Sequence, residues 1–72
     1  MKRFSTRLTE LRQEKGIQQG DVATQLEISQ ALLSHYERGR RECRFDTLID
    51  LANYYNVTCD YLLGRTDDRK GR

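Results

Sequence analysis

Apolar residues recur at helical spacing in several separate stretches of the chain. Phe4, Leu8 and Leu11 fall at i, i+4 and i+7, predicting a first helix that Gly16 ends after Lys15, with Ser5 as a candidate N-cap. Val22, Ala23 and Leu26 form a second stripe, and the pattern then breaks at Glu27-Ile28. Ser29 stands where an N-cap belongs, its hydroxyl able to accept a backbone N–H from the next turn. From Gln30 the period restarts: Leu33 and Tyr36, with Leu32 or Glu37 beside them, mark a buried side. Leu48, Leu51, Ala52 and Tyr55 give the cleanest helix, started by Asp46 or Thr47 and ended by Asn56. Val57 then enters the core, and Thr58 caps a last short helix through Tyr61, Leu62 and Leu63, closed by Gly64. The fold predicted is all-α.

The stretch from Gln19 to Arg38 has the spacing of a helix-turn-helix, with Gln30–Arg38 as its second, reading helix. That helix turns Gln30, Ala31, Ser34, His35 and Arg38 outward. Small, amide and basic side chains suit the edges of bases in a major groove. Glutamine pairs bidentately with adenine N6 and N7, which makes Gln30 the first candidate for a base contact. Ala31 offers a methyl surface to thymine, while Ser34 and His35 lie one turn on, within reach of bases or backbone, with His35 a base contact, a phosphate contact or a bystander. Leu32 either touches a thymine methyl or packs at the domain edge.

Charge sharpens this picture locally and hardly at all globally. The formal net charge is only +2. Between Arg38 and Arg44, however, Arg38, Arg40, Arg41 and Arg44 face a single acid, Glu42. Such a cluster is either a solvated basic loop or the electrostatic footprint of a nucleic-acid site. Arginine would hold phosphates there with a planar fork of donors that sets position rather than sequence.

Length bounds the remaining choices. At 72 residues the chain is one small domain, without room for a deep active site and the core to hold it. The residues show no phosphate loop, no G-x-S-x-G, no H-E-x-x-H and a single histidine, so an enzyme is not expected. Cys43 and Cys59 form no C-x-x-C pair, which argues against a metal site, and no cofactor is implied. Cys43 is expected to be exposed. No apolar run is long enough to span a membrane, and MKRFSTRL lacks the apolar segment of a secretory signal, so a cytoplasmic protein is expected. Arg65–Arg72 is polar and mixed in charge, and reads as a flexible tail behind a domain over 1–64.

Three segments in order, RLTELRQEKGIQQGDVATQLEIS, SHYERGRR and FDTLIDLANYYNVTCDYLLG, resemble the phage-repressor/Cro (XRE-type) family of helix-turn-helix regulators. The resemblance runs from about Arg7 to Gly64. It implies a compact five-helix, lambda-repressor-like domain with helices 2 and 3 as the helix-turn-helix, from a bacterial or phage-encoded protein. It further implies a sequence-specific DNA-binding transcriptional regulator, more often a repressor, that binds a pseudo-palindromic operator in double-stranded DNA as a homodimer. Carried over residue by residue, it gives Gln19 a phosphate contact beside those of Arg38, Arg40, Arg41 and Arg44. It gives Arg12 and Glu37 a structural ion pair, and the last helix, through Thr58, Cys59, Tyr61 and Leu63 with Tyr54 as a further candidate, a two-fold contact. The chain departs from the family at Gln18, where Ser or Thr is usual. It departs again at Cys43, where proline is common, and at Glu27, where glycine suits a positive φ. Either the turn at Glu27 carries that strain or its geometry differs. The alternative function is a protein-interaction module, antitoxin-like or regulator-binding, acting through the last helix.

Overall fold

A computed structural model of the chain describes residues 2–71, with side chains from residue 3 onward. Met1 and Arg72, which belong to the two segments expected from sequence, lie outside the described residues. Five helices follow in order: α1 (Lys2–Lys15), α2 (Gln19–Leu26), α3 (Gln30–Glu37), α4 (Phe45–Tyr55) and α5 (Cys59–Leu62). The apolar stripes meet in one core. Phe4, Leu8 and Leu11 of α1 pack with Val22 and Ala23 of α2, Leu33 and Tyr36 of α3, four residues of α4, and Tyr61 and Leu62 of α5. Phe4 meets the Tyr36 ring edge to face, with centroids 6.4 Å apart. α3 lies against both α1 and α2, so its buried side is held from two directions.

Helix starts differ in two places from those expected. α1 begins at Lys2, so Ser5 is an interior residue; it is buried, and its carbonyl accepts from the Thr9 hydroxyl at 3.1 Å. α4 begins at Phe45, a residue earlier than Asp46, and the Asp46 carboxylate accepts from the Thr47 amide at 2.8 Å. Ser29 and Thr58 each cap through the hydroxyl, accepting from Leu32 N and Tyr61 N at 3.0 Å. At Gln18 a capping box takes the place of a hydroxyl cap, with the Asp21 carboxylate accepting from the Gln18 amide at 3.1 Å.

All five helices end in the same way, with a left-handed residue whose N–H returns to the last turn while the next N–H reaches one residue further back. Gly16, Gly39 and Gly64 supply that residue for α1, α3 and α5, and Asn56 supplies it for α4. At Gly64 a Cβ would also collide with the Arg3 side chain, whose guanidinium donates to the Gly64 carbonyl at 2.9 Å. α2 ends on Glu27, at φ 58 and ψ 40. The helix-turn-helix turn therefore keeps its left-handed geometry and a β-substituted residue carries the strain. Replacing Glu27 by glycine is expected to stabilise the domain by about 1 kcal/mol, raising its Tm by roughly 4–8 °C. A thermal melt that moves by less than a degree would show that the glutamate sits there without strain.

Residues 65–71 fold back along the molecule instead of trailing from it. Arg7 donates to the carbonyls of Tyr61 and Thr66 and to the Asp67 carboxylate, each at 2.6 Å. Arg69 grips Glu14 with two bonds of 2.8 and 2.7 Å, holding that carboxyl below its ordinary range. The Arg69 carbonyl accepts from the Thr58 amide at 2.9 Å. Two guanidinium groups lie over the Tyr61 ring, Arg7 at 4.1 Å and Arg69 at 5.4 Å from its centroid. A polar segment without an apolar stripe is thus placed by arginines that bond backbone carbonyls.

Candidate nucleic-acid interface

The geometry of α3 follows from what anchors it. Ser29 closes its first turn, Leu33 and Tyr36 are buried, and Gly39 at φ 71 turns the chain away after Arg38. This anchoring leaves Gln30 and Ala31 exposed at the start of the helix and Ser34 and His35 half-buried a turn later. The Nδ1 of His35 is buried without a hydrogen-bond partner, so the ring would have to turn to present that atom to a base. Leu32 is half-buried and packs against the core, which favours the domain-edge role over a thymine contact.

The far end of α3 is fixed by a carboxylate shared among three helices. The Glu37 side chain, only 4% exposed, takes Arg12 Nε on Oε2 at 2.8 Å. A second Arg12 nitrogen and Gln19 Nε2 both reach its Oε1 at 3.1 Å. Arg12 also donates to the Ile17 carbonyl at 3.1 Å, binding the α1–α2 connection into the same network. The carboxylate raises the Arg12 pKa above its ordinary value. Beside it the Tyr55 hydroxyl is buried without a partner; burial, then the Glu37 charge, pushes its pKa well up. Gln19 therefore spends one of its two side-chain amide N–H donors inside the protein. The start of α2, where unpaired backbone N–H groups point outward, is a further means of meeting a phosphate.

On either side of Gly39 the arginines are displayed to solvent. Arg38, Arg40 and Arg41 are exposed and make no ion pair among the described residues, whereas Arg44 lies 3.7 Å from Asp46. Cys43 is half-buried rather than exposed: it packs against the core beside Tyr36, and burial pushes its thiol up to about 11. Among the described residues no group of histidines, cysteines and carboxylates is arranged to hold a metal ion, and no helix is long and apolar enough to cross a membrane.

Residues 8–62 match the family model described as helix-turn-helix. The chain belongs to the Cro/C1-type (XRE) helix-turn-helix family. It is similar to the HTH-type transcriptional regulator ImmR of Bacillus subtilis, 47% identical over 64 residues that cover 89% of this chain and 50% of that protein. The HTH-type transcriptional regulator DdrOP3 of Deinococcus deserti is 46% identical over 57 residues, covering 79% of this chain and 44% of its own length. An uncharacterized HTH-type transcriptional regulator of Sinorhizobium fredii, y4dJ, is 41% identical over 58 residues, which make up 81% of this chain and 75% of y4dJ. The chain thus spans about half the length of the first two relatives.

Within this family fold, the four residues expected at a two-fold contact separate. Tyr61 is a core residue, 7% exposed and covered by Arg7 and Arg69, and so is not offered to a partner. Thr58 is engaged as the cap of α5, Cys59 is half-buried, and Leu63 is exposed. Tyr54 is half-buried, edge to face with Tyr55 and beneath Lys15. Two apolar residues that sequence reasoning passed over are more exposed than any of these: Phe45, at 84%, and Ile49, at 50%, one turn apart on α4. Their signal was present as apolar positions of α4 left over after Leu48, Leu51, Ala52 and Tyr55 had filled its buried stripe.

Proposed function

We propose that this chain is a sequence-specific DNA-binding transcriptional regulator, a repressor, that acts as a homodimer on a pseudo-palindromic site with α3 in the major groove. The observation that carries this reading is the display on α3. Gln30 and Ala31 are exposed at the start of a helix whose other side is fixed by Leu33 and Tyr36. Arg38, Arg40 and Arg41, exposed and without an ion pair among the described residues, follow its end. Helix-turn-helix recognition uses the N-terminal residues of the second helix for bases and the flanking positions for phosphates. In this reading Gln30 pairs with adenine, Ala31 meets a thymine methyl, and Ser34 and His35 lie along the groove. Arg38, Arg40, Arg41 and Arg44, with the start of α2 at Gln19, hold the backbone. Two copies would meet through the exposed Leu63 beside Cys59 and place their α3 helices about one DNA turn apart.

A partner-binding module acting through the last helix is supported less well. Tyr61 and Leu62 are buried, which leaves Leu63 as the exposed large apolar side chain of that segment, and the arginine cluster would have no use.

Selection from random duplexes at low and moderate salt tests the proposal. Wild type is expected to enrich a two-fold symmetric motif, and Gln30→Ala to relax one base pair in each half-site by roughly 1–3 kcal/mol. Binding that enriches no motif and disappears at moderate salt would reduce the interface to a basic surface.

A further inference from the structure

Gly20 is a residue of the helix-turn-helix whose chemistry the fold does not require. It is the second residue of α2, and its φ is not left-handed, so the backbone there accepts any L-residue. Glycine is also among the least favourable residues inside a helix. What the position lacks is a side chain, and the space has a specific neighbour. A Cβ on Gly20 would point at the Gln30 Oε1, 3.5 Å away, the one atom within 4 Å apart from its chain neighbours and the backbone of α2. The Gln30 side-chain oxygen thus lies beside the face of α2 that Gly20 leaves without a side chain.

We propose that Gly20 is a positioning residue for base recognition: the missing side chain leaves a notch in which the Gln30 amide rests before it meets DNA. This rests on the reading of Gln30 as a base contact and adds to it a determinant on the other helix. A side chain with one free amide and three rotatable bonds is a poor reader unless something limits its rotamers, because ordering it on binding costs entropy. The notch supplies that limit. A Cβ at 3.5 Å is an ordinary van der Waals neighbour, so alanine fits with the amide in place. A side chain branched at Cγ takes the space of the amide itself and drives Gln30 into other rotamers.

The test compares Gly20→Ala and Gly20→Leu, both of which favour the helix more than glycine and so keep the domain folded. In the free protein, the side-chain amide NMR signals of Gln30 are expected to stay in place in Gly20→Ala and to shift in Gly20→Leu. In duplex selection, Gly20→Leu is expected to lower the preference at the base pair relaxed by Gln30→Ala, by roughly 5- to 150-fold, the discrimination of one bidentate contact. It should have no effect on that base pair when Gln30 is already alanine. Unmoved amide signals in Gly20→Leu overturn the notch whatever DNA does. Shifted signals with an unchanged motif, where Gln30→Ala does relax it, overturn the role of Gly20 and leave the reading by Gln30 standing. A motif indifferent to Gln30→Ala overturns both.

Discussion

Replacing Arg12 by alanine is expected to destabilise the domain by about 3 kcal/mol, a large share of the roughly 5–15 kcal/mol that small domains possess. Glu37 is the reason. Its side chain is 4% exposed in the intact pair, and without Arg12 it keeps one bond from Gln19 and loses the cation that balances its charge. Removing one partner from a buried pair is costly because the other charge remains buried, whereas replacing both by apolar residues of similar volume is often nearly neutral. The effect is placed at the lower end of the range for buried pairs because the Arg12 side chain is 18% exposed. Chemical denaturation of Arg12→Ala, and of Arg12→Met and Glu37→Leu singly and combined, checks this. The combination is expected to cost less than the sum of the single changes. A loss below about 1 kcal/mol in Arg12→Ala would mean that the pair behaves as a solvent-screened surface contact.

The second large effect concerns affinity rather than stability. Changing Arg38, Arg40 and Arg41 together to glutamine is expected to weaken DNA binding by roughly 10²–10³-fold at about 0.1 M salt. It should also reduce the slope of log K against log salt by about 3, close to one for each phosphate that an arginine no longer neutralises. All three side chains are exposed and without an ion pair among the described residues, so the folded state should lose nothing measurable. The motif preferred in a selection should stay the same, because phosphate contacts set position and carry no sequence information. Titrations across a series of salt concentrations separate the cases. An unchanged slope would place these arginines away from the duplex and would move the phosphate contacts to other basic residues.

How much of this is legible in the sequence depends on whether a feature leaves a periodic trace. Leu8, Leu33, Leu51 and Leu62 are buried because they sit on apolar stripes, and a stripe can be read without coordinates. Ser29 and Thr58 are readable as caps because a hydroxyl just before an apolar turn has a mechanical reason to be there. Ser5 misleads by the same logic: it precedes Leu8, but Phe4 is already inside the helix and the first turn starts at Lys2. Arg12 and Glu37 are 25 residues apart, with no pattern to link them, and only the family resemblance joins them. Tyr61 stays open in sequence between core packing and a two-fold contact, because guanidinium groups covering a ring leave no signature in hydropathy. The notch at Gly20 is visible in sequence only as a weak position in a helix, its purpose hidden until Gln30 is seen lying over it.

The fold-back of residues 65–71 bears on where this domain ends. Hydropathy stops at Gly64, yet Arg7, Glu14 and the Thr58 amide all find their partners past that point. A boundary drawn by composition would divide Arg7, Glu14 and Thr58 from the residues 66–69 that bond them. The last described residue, Gly71, lies so close to Thr58 that a Cβ on it would collide with the threonine methyl, so the segment is seated against the start of α5 along its whole described length.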